Sequence, residues 1–143
     1  PQFGYEKPVV HHSQFLLELA AAGILEGSGN GSKGVYHDSC YLGRYNGIID
    51  EPRELLKKVG AGSLAEFGRN GKRSFCCGAG GGRMWMEETI GKRINEERVD
   101  EALELGVDTI FTACPFCMTM FEDGLKAREK DGDIKVKDIA EIF

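Results

Sequence analysis

Short apolar clusters alternate with amphipathic stretches along the chain, the pattern of an α/β domain. Val9-Val10 reads as a short strand. A helix then runs from about Ser13, a good N-cap, to Ala22, with Leu16, Ala20 and Ile24 on its buried face and Gly23 as its stop. Ser28 to Lys33 is a glycine and serine loop, after which Val35-Tyr36-His37 forms a strand leading into Asp38-Ser39-Cys40. Pro52 suits the first turn of a second helix ending at Gly60, and Leu64 to Phe67 reads as an edge strand. Phe75-Cys76-Cys77 meets the glycine run Gly78 to Gly82. A long helix is expected from Arg83 to Leu105, with Ile90, Ile94, Val99 and Leu103 as its apolar positions and Gly106 as its stop. Val107 to Thr112 is a buried strand, and Pro115 opens a helix with Met118, Phe121 and Leu125 on one face. Ile134 to Val136 is a last strand, followed by a helical Lys137 to Phe143. The fold expected is a Rossmann-like, open, mostly parallel sheet flanked by helices, one domain over residues 1–143.

Composition narrows the function. The 143 residues carry 18 basic and 23 acidic side chains, a net charge of -5 that does not suit a nucleic-acid partner. The longest mostly apolar run, Phe15 to Leu25, contains Glu18 and falls short of the roughly 20 residues a membrane span needs. The opening residues Pro1 to Tyr5 have neither the basic nor the apolar region of a secretory signal, and no Met begins the chain. A reduced, cytoplasmic-side segment excised from a longer protein is therefore expected.

The five cysteines change the picture most. An odd number cannot all pair within the chain, and a domain of this size needs no disulfides. Cys40, Cys76, Cys77, Cys114 and Cys117 follow the spacing C-x35-C-C-x36-C-x2-C, each group expected where a strand ends. Carboxyl strand ends are where an open parallel sheet places its ligand sites. Cys114 sits at the cap before Pro115, so the first-turn N–H groups favour its thiolate. The glycines after Cys77, Gly78, Gly80 and Gly81 among them, let the backbone come close and offer N–H groups to anionic sulfide. Arg83 is the charged side chain expected beside such a site, with Met84, Trp85 and Met86 packing as a lid. Five thiolates exceed the four that one tetrahedral zinc takes, and all-sulfur ligation suits iron–sulfur chemistry or zinc.

Other readings stand beside this one. Zinc on four of the cysteines would make a structural interaction domain, and Cys114 with Cys117 alone would make a metal-free thiol–disulfide centre. A nucleotide loop fits poorly, because no Gly-Lys-Ser/Thr follows the glycines and Arg83 stands where G-x-G-x-x-G needs its last glycine. His37, three residues before Cys40, is near enough to ligate, although a histidine at a strand end is more often simply hydrogen-bonded. His11 and His12 precede a helix and suggest structural roles, and the charges of Glu96 to Asp100 suggest a solvated helix face.

The cysteine pattern resembles the CCG domain of the heterodisulfide reductase family, also found in glycolate and lactate oxidase iron–sulfur subunits and in anaerobic glycerol-3-phosphate dehydrogenase subunits. The stretches His37 to Arg44, Cys76 to Glu87 and Thr112 to Cys117 are similar to the C-terminal CCG domain of membrane-bound, electron-transfer-flavoprotein-linked iron–sulfur oxidoreductases. This resemblance implies a non-cubane [4Fe-4S] cluster ligated by Cys40, Cys76, Cys77, Cys114 and Cys117. It also implies a parent protein with a first CCG domain, a ferredoxin-like domain and a membrane anchor, passing electrons from flavoprotein to quinone or reducing a disulfide. One departure is Ser39, where relatives often have proline, which puts the rigidity of that loop in question.

Overall fold

A computed structural model describes residues 4, 6–28 and 31–143, so positions 29–30 of the glycine and serine loop lie outside the described residues. Four parallel strands form one open sheet in the order β2-β1-β3-β4: β1 is Lys33–Tyr36, β2 Ser63–Ala65, β3 Thr109–Thr112 and β4 Lys135–Asp138. Register aligns Gly34 with Leu64 on one side of β1 and Val35 with Ile110 on the other. Helices α1 (His12–Ala21), α2 (Asp50–Lys58), α3 (Ile94–Leu105) and α4 (Pro115–Ala127) flank the sheet.

Side chains alternate across a strand, and here the alternation divides the core in two. Tyr36 and Phe111 point into a layer with Ala20, Leu55, Leu56 and Ile139, covered by α1, α2 and the 3-10 turn Ile139–Ile142. Val35 and Ile110, one residue back, enter the opposite layer with Val99, Phe121 and Leu125 of α3 and α4. All four residues of β3 are buried, as a central strand covered on both faces must be.

Local chemistry shifts several elements from their expected places. Val9 and Val10 form no strand and are exposed, the sheet edges being taken by β2 and β4. His11, not Ser13, caps α1: its ring accepts the Ser13 amide at 3.2 Å, and Gln14 reaches back to the His11 amide in a reciprocal capping box. Gly23, at φ +70°, turns the chain, leaving Ile24 exposed. The long helix from Arg83 does not form. Gly81 and Gly82 adopt positive φ within a 3-10 segment, Gly80–Trp85, and Gly91 does so again, so α3 starts only at Ile94 and Ile90 is exposed. Arg98, within the charge run expected on a solvated face, is fully buried; its guanidinium lies 3.5 Å from the Phe67 ring centroid and donates to the Arg69 carbonyl. On α4 the buried face is Cys117, Met120, Phe121, Gly124 and Leu125, with Met118 only half-buried.

Chain order makes the sheet useful. From β1 the chain crosses to β2 on one side, then passes over to β3 on the other. The carboxyl ends of β1 and β3 therefore border the crevice at which such sheets accept ligands.

Candidate metal centre

Two of the three cysteine groups leave from that crevice. Cys40 ends the loop after β1 and begins the π-helical turn Tyr41–Tyr45, while Cys114, two residues beyond β3, is the N-cap of α4 and places Cys117 one turn in. Cys76 and Cys77 come from an irregular segment after the 3-10 turn Gly71–Arg73, not from a strand end. Freed from strand alternation, adjacent side chains can serve the same place.

Asp38 fixes that segment. Its carboxylate binds Arg53 of α2 and the Gly71 amide, and its carbonyl accepts the Ser74 hydroxyl at 3.1 Å. Arg44 donates to the Ser74 carbonyl at 2.7 Å. Ser39 meets the Thr112 hydroxyl at 3.2 Å, a buried tie between the ends of β1 and β3. This bond supplies a restraint on the Ser39 loop. None of these anchors is apparent in the sequence, because each acts through a partner far along the chain.

The Sγ atoms of Cys77 and Cys117 lie 3.4 Å apart, well beyond the roughly 2.05 Å of a disulfide. Both are buried, packed with Met120 and against Ala79, Met84 and Cys114. Cys114 packs against this pair, and Cys76 adjoins Cys77 in the chain, so the four cysteines form one connected group. Cys40 is half-buried and lines, with Cys114, a neighbouring cavity of about 500 Å³.

Protons within this group are unevenly held. The Cys117 and Cys76 thiols, then the His37 ring, all favour negative charge on Cys77 and hold its thiol far below the usual range. Cys76 and Cys117 are pushed up in return, by Cys77 and by Cys114 respectively. Cys114 is lowered to about 6 by the Cys117 thiol and by the Cys117 and Phe116 amides at the start of α4. Such a partly deprotonated sulfur group is suited to exchanging its shared protons for a soft metal.

The glycines divide by role. Gly78 donates its amide to Cys76 Sγ at 3.3 Å, and the Gly80 amide also favours that thiolate. Gly81 is exposed, with open space where a side chain would be. Arg83 pairs with Glu88. Of the expected lid, Met84 packs against the sulfur group, while Trp85 and Met86 face outward, Trp85 being 82% exposed.

His37 is the residue whose position the sequence leaves open. Its ring is buried edge-on against Phe121, with centroids 4.9 Å apart, and a ligand atom of His37 lies within 4.8 Å of those of Cys77 and Cys117. Burial lowers its basicity. His11 and His12 are structural: the first caps α1, and the second places Nε2 3.3 Å from Asp138.

Comparison with known families shows that the cysteine-rich CCG domain matches residues 35–122. The chain belongs to the CCG family of cysteine-rich domains. This CCG domain is 45% identical over its full length to the "Probable iron-sulfur-binding oxidoreductase FadF" of Bacillus subtilis, covering 20% of that protein. It is 46% identical, again over its full length, to an EtfAB:quinone oxidoreductase of Syntrophomonas wolfei, covering 21% of it. Over 97% of its length it is 37% identical to one subunit of the dihydromethanophenazine:CoB–CoM heterodisulfide reductase of Methanosarcina barkeri, covering 34% of that polypeptide. The CCG domain thus spans about a fifth to a third of the relatives it matches. No helix among its described residues is long and apolar enough to cross a membrane.

Proposed function

We propose that this CCG domain binds an iron–sulfur cluster, a non-cubane [4Fe-4S] centre, through Cys40, Cys76, Cys77, Cys114 and Cys117, and carries electrons within a larger oxidoreductase. The observation that carries the reading is the buried 3.4 Å Sγ–Sγ approach of Cys77 and Cys117, with Cys114 packed against the pair and Cys76 next to Cys77 in the chain. The residues fit such a group chemically: soft donors from three segments, a buried imidazole beside them, and the Gly78 amide directed at sulfur. When bound, the cluster supplies one-electron oxidation and reduction. The chain's part is to hold it, exclude water with Met84 and Met120, and set its charge environment.

Relatives named for EtfAB:quinone and CoB–CoM heterodisulfide reactions support two settings, passage of electrons from flavoprotein toward quinone and reduction of a disulfide. The partners on this reading are a first CCG domain, a ferredoxin-like domain and a membrane anchor of the same protein, with electron-transfer flavoprotein as donor. Its five unpaired thiols suit a reducing compartment, the cytoplasmic face of the membrane.

Purification without oxygen, with iron, sulfide and zinc measured per chain beside the visible spectrum, tests the reading. About four irons and four sulfides are expected, with broad visible absorption. One zinc and no sulfide, persisting after anaerobic iron–sulfur reconstitution, would replace it with the structural zinc site. Neither metal, with every thiol titratable, would favour thiol–disulfide chemistry at Cys114 and Cys117.

A further inference from the structure

Among the described residues, His37 Nδ1 is a buried polar atom without a hydrogen-bond partner. Leaving such an atom unsatisfied is costly, so its surroundings call for explanation. The ring cannot easily turn away. Phe121 and Phe67 meet it edge-on at 4.9 and 6.5 Å between centroids, and the His37 amide donates to the Phe111 carbonyl at 2.8 Å, extending the β1–β3 pairing by one residue. Held this way, a ring nitrogen lies within 4.8 Å of both the Cys77 and the Cys117 sulfur. The charged groups nearest in effect are Arg98 and Asp38. Phenylalanine would fill the slot as well if packing were all that mattered.

We infer that His37 is a positioning residue of the metal centre, a ring N–H donating a hydrogen bond to the Cys77 sulfur of the loaded site and thereby favouring the reduced state of the bound cluster. The inference rests on the cluster reading above. A donor to a ligand sulfur draws charge from it, and hydrogen bonds to sulfur are among the determinants of iron–sulfur potentials. The burial of Cys77 strengthens the effect, because water cannot substitute for the lost donor.

The test compares wild type, His37→Phe and His37→Gln, each reconstituted anaerobically with iron and sulfide. Iron content, thermal unfolding and the midpoint potential from a redox titration followed by EPR are measured for each. His37→Phe is expected to keep its iron while its reduction constant falls about tenfold or more, a shift of 59 mV per decade for a one-electron couple. His37→Gln, which retains a donor, should recover part of that shift. An unchanged potential in a loaded His37→Phe protein would reduce His37 to a packing residue and overturn the inference. Wild type labelled with 15N-histidine supplies a readout independent of variant folding: weak hyperfine coupling is expected. Strong coupling, the signature of direct ligation, or no coupling at all would overturn the hydrogen-bond role. Wild type that takes up no iron and sulfide would instead bring down the cluster reading itself, and the inference with it.

Discussion

Asp38 grips Arg53 through both carboxylate oxygens, at 2.7 and 2.8 Å, and the same Oδ2 accepts the Gly71 amide at 2.8 Å. The carboxylate side chain is only 1% exposed, and Arg53, which also binds Glu66, is 11% exposed. Removing one partner of a buried pair leaves the other charge uncompensated. Asp38→Ala should therefore destabilise the domain by about 3 kcal/mol in urea titration. Asp38→Asn, which keeps an acceptor for Gly71, should lose less. A loss below about 1 kcal/mol for the alanine variant would mean that water or Glu66 takes over the arginine.

Gly78 has φ +96°, and a Cβ there would lie 3.2 Å from Met120 Cε and 3.3 Å from both the Asn95 amide nitrogen and Ile94 Cβ. Gly78→Ala meets both backbone strain and contact with α3 and α4, a destabilisation of about 1–3 kcal/mol. Because the same glycine donates to Cys76 Sγ, iron retention after desalting should fall too. Gly81→Ala, with φ +64° but open space around it, should lose stability with less effect on iron. Equal iron loss in both variants would mean that the Gly78 position has no special bearing on the site.

Cys40 stands apart from the connected sulfurs, across the cavity that it shares with Cys114. If it completes the ligand set, Cys40→Ser will lower iron per chain below the wild-type value without shifting the thermal midpoint of the metal-free protein. Full iron with an unaltered EPR signal would confine ligation to Cys76, Cys77, Cys114 and Cys117.

Cys114, lowered to about 6, should be the thiolate form through neutral pH in the metal-free protein. Its thiolate fraction falls as pH drops through about 6, so alkylation by iodoacetamide at this residue should reach half its plateau near there. An ordinary thiol is half-ionised only near pH 8.5. Peptide mass spectrometry across pH 5–9 would read this directly, and a half-plateau above about 8 would contradict the helix-start environment. Bound metal should suppress the reaction at every pH.

The sheet and the outer helices are legible in the sequence because their signals are local. Val35-Tyr36 and Thr109 to Thr112 are apolar or β-branched, Pro115 marks a helix start, and Gly106 in the left-handed conformation marks a stop. The segment from Arg83 to Ile94 misleads because Ile90 and Ile94 keep helical spacing while Gly81, Gly82 and Gly91 adopt positive φ, and backbone geometry prevails. Arg98 misleads because its burial depends on Phe67 and the Arg69 carbonyl, partners about thirty residues away. At the site, spacing reveals the cysteines, since ligand number and residue type are written in the chain. The place of His37 is not legible, because it depends on Phe121 and Cys77 meeting it from other segments.

The pairing of β1 with β3 also sets a schedule for biosynthesis. Tyr36 lies opposite Phe111, so the end of β1 that leads to Cys40 gains its β3 neighbour only after most of this domain has been synthesised. When synthesis has reached residue 100, Cys40, Cys76 and Cys77 have been made, while Cys114 and Cys117 have not. Those early thiols are open to oxidation or to stray metal throughout that interval. A site that draws on both the Cys76-Cys77 and the Cys114–Cys117 groups is therefore complete only once β3 and α4 have joined the fold.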